Sequence, residues 1–270
     1  MADANKVVII TGASGGIGSA LAEVFASHKF NVVIAARDIP KMENIKQKLL
    51  QKGVDVLTVS CDVAKEDDCK KLIEQTVNLF GKIDVLINNA GISMRAIFND
   101  VDLSVLKKLM DVNFWGTVYC TKYALPHLLK SKGSVVGISS IAGKKGLPAR
   151  TGYSASKFAM EGFLETIRTE NLKKNLHVLV ACPGFTATDI RSNALTEKGI
   201  PQSSSPREEE KMMTAEKVAS LIYKAVENRK RDLVLTGNGK MVVWLNKFFP
   251  SLMDKMVYNH MAKENDSPLK

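Results

Sequence analysis

Short, almost wholly apolar segments alternate with helical patterns along this 270-residue chain. Strands that are apolar throughout are covered on both faces, which is typical of a parallel sheet with helices on either side. The pattern predicts an α/β fold, a three-layer αβα sandwich around a mostly parallel sheet of about seven strands. The predicted strands lie near 6–11, 30–36, 54–60, 83–88, 134–139, 176–182 and 233–235, and the helical stretches near 41–52, 66–80, 103–131, 153–174 and 214–228, with one more helix after the first strand.

The length suits one large α/β domain or two smaller ones. No Pro/Gly/Ser-rich linker and no internal repeat divides the chain, so we expect a single domain over residues 1–270. The first six residues lack a long apolar core, and no apolar run approaches the ~18 residues that cross a bilayer. We therefore expect no secretory signal, no membrane span and a cytoplasmic location.

Charge and metal-ligand residues narrow the function classes. The net charge of +10 suits acidic ligands, anionic membrane surfaces or nucleic acid. The basic residues are spread along the chain and are not clustered with aromatics, so we expect no nucleic-acid partner. The four histidines are scattered and the four cysteines show no close pairing, which predicts no metal site. We expect Cys120 and Cys182 to be buried as small hydrophobes.

A glycine-rich loop, 11–18, joins the first strand to the first helix. Glycines let the backbone turn tightly and approach a ligand, and the helix N-terminus behind them favours a pyrophosphate. The spacing Gly-x-x-x-Gly-x-Gly differs from other dinucleotide loops and from a Walker A loop. An ordinary glycine turn is the alternative, but the strand before and the helix after favour cofactor binding. The expected contacts are Gly12, Ser14, Gly15, Gly16, Ile17 and Gly18.

Residues at the end of the second strand bear on the choice between NADP and NAD. NAD sites place an acid about 20 residues after the glycines, to bind the ribose 2′-hydroxyl. Here that position is Ala36, and Arg37 follows, which suits a 2′-phosphate. Asp38 comes next and keeps NAD open, because it can pair with Arg37 or bind the ribose. We predict NADP(H) as the preferred cofactor, with NAD(H) as the alternative.

Tyr153 and Lys157 lie four residues apart in a predicted helix, so both occupy one face. A free phenol titrates near pH ~10 and exchanges protons poorly at neutral pH. A neighbouring ammonium favours the phenolate and is expected to lower the pKa of Tyr153. Ser140 stands thirteen residues upstream and can hold a carbonyl or alcohol oxygen against the phenol. Because this spacing is also common on solvated helix faces, its meaning depends on the rest of the chain.

Together these motifs resemble the short-chain dehydrogenase/reductase family, and the resemblance extends from about 6 to 235. It implies a Rossmann-like single-domain fold with the cofactor across the carboxyl ends of the strands. The motifs that carry it are the glycine loop, Cys61-Asp62-Val63, Asn88-Asn89-Ala90-Gly91, Asp111-Val112-Asn113, Ser139-Ser140, Tyr153-x-x-x-Lys157 and Cys182-Pro183-Gly184.

The resemblance also implies a role for each matching residue. Asn113, Ser140, Tyr153 and Lys157 would be catalytic, with Asn113 kinking its helix and holding a water linked to Lys157. Asp62 and Val63 would contact the adenine, although Asp62 has a second possible role as the cap of the following helix. The remaining expected cofactor contacts are Arg37, Asn89, Ala90, Gly91, Tyr153, Lys157, Pro183, Gly184, Thr186 and Thr188.

The implied reaction interconverts a ketone and a secondary alcohol by hydride transfer. Ser140 and Tyr153 would hold the oxygen, and Tyr153 would supply the proton. One alternative is an NAD-dependent alcohol dehydrogenase of the same fold. Another is a catalytically silent protein that binds or senses NAD(P), which the intact set of four catalytic residues disfavours. The family also implies a homodimer or homotetramer.

Substrate choice is expected in the loop 190–213, which would close over a small carbonyl or alcohol compound. Most pocket candidates are apolar, which favours a hydrophobic, lipid-like substrate: Ser93, Met94, Leu147, Tyr153 and Phe185. Arg95 and Arg150 can bind an anionic group, although both are expected to be solvated surface residues.

The last segment, 238–270, is predicted to be a helical extension with an apolar stripe flanked by lysines. Pro250 is expected to break a helix or to start one. The stripe can cover the substrate, pack in an oligomer or lie on a membrane surface, and protein packing is the favoured alternative. Asn113-Phe114-Trp115-Gly116-Thr117 and the Phe-Pro-Ser-Leu-Met tail resemble the acylglycerone-phosphate reductase and membrane-associated dehydrogenase/reductase subgroup. The stripe consists of Leu245, Phe248, Phe249, Leu252, Met253, Met256 and Val257.

Overall fold

A computed structural model describes residues 5–203, 212–264 and 266–270. In these ranges seven strands form one sheet in the order β3-β2-β1-β4-β5-β6-β7, and every neighbouring pair is parallel. The predicted α/β class and seven-stranded Rossmann-like sheet are confirmed. The strands are β1 (Val7–Thr11), β2 (Asn31–Ala36), β3 (Val56–Ser60), β4 (Val85–Asn88), β5 (Ser134–Ile138), β6 (His177–Cys182) and β7 (Asp232–Val234).

Helices connect the strands and cover both faces of the sheet. The described residues form α1 (Gly16–Ser27), α2 (Ile39–Leu50), α3 (Glu66–Phe80), α4 (Leu103–Leu109), α5 (Gly116–Ser131), α6 (Thr151–Glu170), α7 (Ala215–Glu227), α8 (Gly237–Phe248) and α9 (Pro250–Ala262). The continuous helix predicted over 103–131 is wrong in one respect. A π-helical segment, Met110–Trp115, separates α4 from α5. Pro250 is the first residue of α9, so it starts a helix, which is one of the two roles expected for it.

Successive residues of each strand face opposite sides of the sheet, and both sides are buried. In β1, Val8 and Ile10 join the apolar core beneath α1 and α7. Val7 and Ile9 join the second core, beneath α3, α5 and α6. Burying one such side chain contributes roughly 1.5–3 kcal/mol. This two-sided burial explains why the strand sequences lack polar alternation.

The strand order reverses at β1, whose neighbours are β2 and β4. From β1 one half of the sheet runs outward through β2, and the other half runs through β4 to β7. In open α/β sheets such a switch point leaves a crevice outside the carboxyl ends of the strands, where ligands bind. The glycine loop and the segments that follow β4, β5 and β6 all leave the sheet at this edge.

Three of the cysteines lie close together, contrary to the expectation of no close pairing. Cys69 of α3 lies beside Cys61 and Cys120, and all three cysteines are buried and free. The Cys69 thiol and burial raise the pKa of Cys61, while the Cys120 thiol and burial raise the pKa of Cys69 against a lowering by Cys61. Cys182 is buried at the end of β6, as expected.

The described ranges contain neither a metal-binding cluster nor a helix that could span a membrane. No group of three or more His, Cys, Asp or Glu side chains there is placed to hold a metal ion. Within the same ranges, no helix combines the length and the apolar character that crossing a bilayer requires.

Candidate active site

The glycine loop meets the segment after β4 at very short range. A Cβ on Gly12 would stand 2.7 Å from the Ala90 Cα, and one on Gly18 would stand 2.3 Å from the Gly12 carbonyl oxygen. Gly12 and Gly16 also adopt positive φ angles of 65° and 55°, which L side chains rarely tolerate. At Gly15 no atom lies within 4 Å of an added Cβ, so the loop leaves an open cradle at the start of α1. An open backbone cradle at a helix N-terminus fits a pyrophosphate.

Hydrogen bonds between Thr11 and Asn89 hold this loop in place. The Asn89 Nδ2 donates to the carbonyl oxygens of Thr11 at 2.9 Å and Gly12 at 3.1 Å. The Thr11 Oγ1 accepts from the backbone N–H groups of Asn89 and Ala90, each at 3.1 Å. Asn89 therefore ties the glycine loop to β4 with its side chain as well as lying beside it.

At the end of β2, Ala36 is buried and Arg37 is exposed. The Asp38 carboxylate caps α2, since it accepts from the Lys41 N–H at 3.1 Å and pairs with the Lys41 ammonium at 3.3 Å. The Lys41 N–H bond, assisted by that charge, lowers the pKa of Asp38. The acid that kept NAD open is thus engaged with Lys41.

Asp62 and Val63 follow β3 closely. The Asp62 Oδ1 accepts from the Ala64 N–H at 3.2 Å, which forms a local turn. Because α3 begins at Glu66 with Lys65 at its N-cap, Asp62 does not cap that helix, and this alternative was wrong. Val63 is buried against α5, where a Cβ on Gly116 would stand 2.8 Å from its Cγ2.

Asn113 lies inside the π-helical segment, and the family resemblance implied a kink of the helix at this residue. Its buried amide closes a ring with Ile92: the Ile92 N–H donates to Oδ1 at 2.8 Å, and Nδ2 donates to the Ile92 carbonyl at 3.0 Å. Nδ2 also donates to the Ser156 Oγ at 2.9 Å. Ser156 in turn donates to the Tyr153 carbonyl at 2.8 Å, so Asn113 is linked to the helix that carries Tyr153.

Tyr153 and Lys157 are both buried near the start of α6. The Lys157 Nζ lies 5.9 Å from the centroid of the Tyr153 ring and donates to the Ile138 carbonyl of β5 at 2.8 Å. A Cβ on Gly91 would stand 3.2 Å from the Asn113 Oδ1 and 3.4 Å from the Lys157 Nζ. Asn113 and Lys157 therefore flank the same glycine.

The two adjacent serines after β5 have different partners. The Ser140 hydroxyl lies near enough to the Tyr153 phenol to act on its pKa, and its Oγ accepts from the Ala142 N–H at 3.2 Å. The Ser139 hydroxyl donates instead to the Glu161 Oε1 at 2.6 Å and is buried. Of the two serines, Ser140 is the one that acts on the pKa of the phenol.

The electrostatics of the pair differ from the expectation. Burial raises the pKa of Tyr153, although the nearby Ser140 hydroxyl and the Arg150 charge act in the opposite direction. Burial also lowers the pKa of Lys157 to about 8, against the smaller opposing effects of Cys182 and Glu161. The expected lowering of the tyrosine pKa by Lys157 is therefore corrected. The lysine ammonium is directed at the Ile138 carbonyl, and the cation that acts on the phenol is Arg150.

The segment after β6 returns toward the glycine loop. Pro183 follows the strand directly, and Gly184 packs against Thr236, 3.0 Å from an added Cβ. The buried Thr186 donates from Oγ1 to the Gly184 carbonyl at 3.2 Å. Thr188 reaches the glycine loop itself, since a Cβ on Gly16 would stand 3.2 Å from its Cγ2.

The pocket candidates divide into an inner group and an outlier. Met94 and Tyr153 are buried in one apolar cluster, with Leu147 packed against it, and Ser93 is buried nearby. Phe185 is 42% exposed, and its ring centroid lies 6.5 Å from that of His260.

The two arginines were wrongly expected at the solvated surface, since both are largely buried. The Arg150 Nη1 donates to the Met94 carbonyl at 2.5 Å, beside Ser93 at 3.5 Å. Arg95 pairs with the buried Glu264 at 3.5 Å. Neither arrangement was predictable from local sequence, because both partners are distant along the chain.

The C-terminal stripe is split between the protein interior and the surface. Met253 and Val257 of α9 are buried together with Met261, and Leu147 and Leu245 pack against them. Protein packing thus accounts for part of the stripe. The other members are exposed, as is Trp244 of α8: Phe248, Phe249, Leu252 and Met256.

Comparisons with known proteins agree with this architecture. A family model described as short chain dehydrogenase matches residues 6–199. The Dehydrogenase/reductase SDR family protein 7-like of Dictyostelium discoideum is 35% identical over 261 residues, which cover 94% of this chain and 81% of that protein. The Dehydrogenase/reductase SDR family member 7B of Mus musculus is 33% identical over 97% of this chain and 83% of that protein. The 11-beta-hydroxysteroid dehydrogenase-like 2 of Arabidopsis thaliana is 42% identical, over 71% of this chain and 63% of that protein.

A solved structure shares the fold. It is an alcohol dehydrogenase from the archaeon Thermococcus sibiricus in complex with 5-hydroxy-NADP. The TM-score is 0.76 over 85% of this chain and 95% of that chain, with 24% sequence identity. The chain belongs to the short-chain dehydrogenase/reductase family, and it is an oxidoreductase that binds a nicotinamide cofactor and acts on a CH–OH group.

Proposed function

We propose that this protein interconverts a hydrophobic ketone and the corresponding secondary alcohol with NADP(H), at a site formed by Asn113, Ser140, Tyr153 and Lys157. The observation that carries the proposal is the placement of the Ser140 hydroxyl within reach of the buried Tyr153 phenol, beside the buried Lys157. Two hydroxyls placed so close together can both bond to one substrate oxygen. That arrangement stabilises the charge that develops on the oxygen as the carbonyl is reduced.

The residues divide the work as follows. Ser140 and Tyr153 bind the carbonyl oxygen, and Tyr153 transfers its phenolic proton to the forming alkoxide. Lys157 binds the ribose next to the nicotinamide, and Asn113 holds α6 and the segment after β4 in register through Ser156 and Ile92. When bound, the cofactor supplies or accepts the hydride. In the oxidising direction Tyr153 accepts the alcohol proton.

The backbone segments around the carboxyl edge hold the cofactor. The glycine loop would receive the pyrophosphate, Asp62 and Val63 would border the adenine, and the segment after β4 would hold the adenosine side. Pro183, Gly184 and Thr186 of the segment after β6 would hold the nicotinamide. Thr188 lies beside Gly16 and so can reach from the nicotinamide side to the phosphates.

The preference for NADP rests on Arg37 and Asp38. The exposed Arg37 can pair with a 2′-phosphate, whereas Asp38 is engaged as the cap of α2 and by Lys41. Kinetics with NADPH and NADH, in the wild-type protein and in Arg37→Ala, would test this. We expect NADPH to be preferred and Arg37→Ala to reduce the preference. Equal efficiency with both cofactors in the wild-type protein would contradict it.

The substrate proposal rests on the apolar cluster around the phenol. Met94, Leu195 and Tyr153 belong to it, and Met94 and Leu195 also form a β-bridge between the segment after β4 and the loop 190–213. A lipid-like or steroid-like carbonyl compound would bury apolar surface there, in line with the hydroxysteroid dehydrogenase name of the plant relative. Residues 204–211 of this loop lie outside the described part of the chain. The loop and the extension 238–270 would form the substrate side of one domain.

An oxidation screen would test the function in one experiment. NADPH or NADH is supplied with lipophilic ketones of increasing chain length, and the reverse reaction is run with secondary alcohols. We expect turnover with apolar ketones, rising with chain length. Equal turnover of short polar ketones would contradict the substrate class. Cofactor binding without any turnover would instead identify a binding or sensing protein.

The exposed side of α8 and α9 is the proposed contact surface. We define this C-terminal face by Trp244, Phe248, Phe249, Leu252 and Met256, beside the basic side chains Lys240, Lys247 and Lys255. We propose a cytoplasmic homodimer or homotetramer that covers the face, with peripheral attachment to an anionic membrane as the alternative. Light scattering in solution would distinguish them, since a monomer that sediments with anionic vesicles would favour the membrane.

A further inference from the structure

Glu161 is a buried carboxylate one helical turn beyond Lys157. It belongs to none of the sequence motifs and has no role in the proposed reaction. It is 9% exposed and lies on the side of α6 that faces the ends of β5 and β6. A buried carboxylate is costly to maintain unless it is fully bonded. Its partners therefore indicate what it does.

Three segments of the proposed site donate to this one carboxylate. The Ser139 hydroxyl donates to Oε1 at 2.6 Å, from the position directly before Ser140. The Cys182 thiol donates to Oε1 at 3.4 Å, from the position directly before Pro183. The Lys144 ammonium lies 2.7 Å from Oε2, from just beyond the turn Ile141–Gly143. Glu161 thus joins α6 to both strand ends and to the turn that carries Ser140.

The Glu161 carboxylate is packed closely against the turn Ile141–Gly143. A Cβ on Gly143 would stand 2.3 Å from the Glu161 Oε1 and 2.5 Å from the Ser139 Oγ. Real Cβ atoms are not found so close to an oxygen, so the turn backbone lies directly on the carboxylate. A small displacement of the Glu161 side chain would therefore move the turn that holds Ser140.

We propose that Glu161 is a positioning residue of the hydride-transfer site, which holds Ser140 and the start of the nicotinamide-binding segment in register with Tyr153 and Lys157. The inference rests on the proposed function and deepens it. Glu161 does not touch the reacting atoms, and it acts through Ser139, Lys144 and Cys182. Misplacement of reacting groups by about 1 Å can cost roughly 100-fold in rate. A residue that holds Ser140 in position should therefore affect turnover.

The charge of Glu161 acts on Lys157 as well. The titratable groups that face Lys157 are Tyr153, Glu161 and Cys182. Burial raises the pKa of Cys182, which is therefore a neutral thiol at neutral pH, and Tyr153 is neutral for the same reason. Glu161 is then the anion that opposes the effect of burial on the Lys157 pKa. Around Glu161 the facing groups are Lys144, Lys157 and Cys182, and Asp232 lies beyond Lys144 at 3.9 Å.

Glu161→Gln is the direct test, because glutamine keeps the size of the side chain and removes its charge. We expect kcat for ketone reduction to fall roughly 10- to 100-fold, with little change in the dissociation constant of NADPH. We also expect the fall of kcat/KM at high pH to begin at a lower pH, because the Lys157 pKa is lower once the negative charge of Glu161 is removed. Glu161→Asp should restore part of kcat. Thermal unfolding checks that each variant is folded.

The same helix offers a matched control in Glu165, one turn further on. Glu165 is exposed and pairs with Arg231 at 3.2 Å on the surface. Glu165→Gln removes the same charge from the same helix, and we expect kcat and the pH profile to stay at wild-type values. A shift of equal size in both variants would overturn the proposal, because it would reflect net charge and not position.

Lys144→Met gives a second test that does not require Glu161→Gln to fold. Removing the ammonium leaves the Glu161 charge less compensated beside Lys157, so the high-pH fall of kcat/KM should move upward, opposite to Glu161→Gln. With an active wild-type protein, an unchanged kcat and pH profile in Glu161→Gln would overturn this inference alone. A high-pH fall of kcat/KM in Lys144→Met that stays in place or moves to lower pH would do the same. No turnover in the wild-type protein would overturn the proposed function itself and this inference with it.

Discussion

The carboxyl edge of the sheet and the C-terminal face are built on different principles. At the carboxyl edge, polar side chains are buried and paired within the chain, as for Asn113, Lys157 and Glu161. On the C-terminal face, large apolar side chains such as Trp244 and Phe248 are exposed and basic residues surround them. The polar groups of the carboxyl edge have their partners within the described chain, whereas the C-terminal face presents an apolar surface suited to a partner.

The residues expected to carry out the reaction lie at the carboxyl edge, whereas changes to the C-terminal face are expected to alter substrate or partner. The match to the family model ends at 199, after the residues of the carboxyl edge and before α7, α8 and α9. Residues that hold a reacting oxygen need fixed geometry, which explains their dense hydrogen bonding. The C-terminal helices contact the margin of the site, through Leu147 and through the ring of Phe185, which lies 6.5 Å from that of His260. The reaction type is therefore expected to survive changes to the C-terminal face that alter substrate or partner.

Tyr153→Phe tests the carboxyl edge most strongly. The substitution removes one hydroxyl and keeps the ring, so we expect the loss of roughly 10²–10⁴-fold in kcat/KM with cofactor affinity nearly unchanged. Tyr123→Phe is the matched control, because Tyr123 is a tyrosine outside the site whose hydroxyl bonds Glu66 at 2.6 Å. Steady-state kinetics and cofactor titration measure both effects. Undiminished activity in Tyr153→Phe would remove the phenol from the mechanism.

Neighbouring residues of α9 test the C-terminal region. Met253 is 1% exposed and Leu252 is 50% exposed. Met253→Ala should lower the free energy of unfolding by about 2 kcal/mol or more, while Leu252→Ala should stay within about 0.5 kcal/mol. Leu252→Ala should instead weaken self-association or vesicle binding. Chemical denaturation and light scattering measure the two outcomes, and equal destabilisation by both variants would mean that the C-terminal face is not free.

Two glycines of the cofactor loop separate folding from binding within the carboxyl edge. Gly18→Ala would drive a Cβ to 2.3 Å from the Gly12 carbonyl oxygen, and we expect a loss of about 1–3 kcal/mol of stability without any cofactor. Gly15→Ala meets no atom within 4 Å, so its stability should match the wild type while its cofactor affinity falls. Thermal unfolding with and without NADPH distinguishes these cases. Equal stability of the two variants would contradict the close approach at Gly18.

Local patterns predicted the parts of the molecule that depend on local physics. Apolar strands such as Val7–Thr11 appear within about two residues of their expected limits, because burial on both faces leaves a continuous apolar run. The spacing of Tyr153 and Lys157 on one helix face was likewise accessible from the sequence. The roles of these residues in catalysis remain predictions until the variants are measured.

Contacts between distant segments were beyond the reach of the sequence. The π-helical segment accompanies a pairing of Asn113 with Ile92, which lies 21 residues away. The contact of Cys69 with Cys61 and Cys120 depends on how α3 packs on α5 and β3. In the sequence, Glu161 has the features of an ordinary polar residue of a helix. Its burial against Ser139 becomes evident only in the fold. Such long-range contacts also set the pKa of Lys157, which helix spacing could not supply.

The pH dependence of the reaction should follow the carboxyl edge and not the C-terminal face. Burial lowers the pKa of Lys157 to about 8, so its ammonium form is complete below that pH and is lost as the pH rises through it. Because burial raises the pKa of Tyr153, the phenol stays protonated over this interval, and the loss reflects Lys157. We expect kcat/KM for ketone reduction to be level below pH 8 and to fall about tenfold for each further pH unit. Leu252→Ala should leave this profile unchanged, and a level profile up to pH 10 in the wild-type protein would mean that a charged Lys157 is not required.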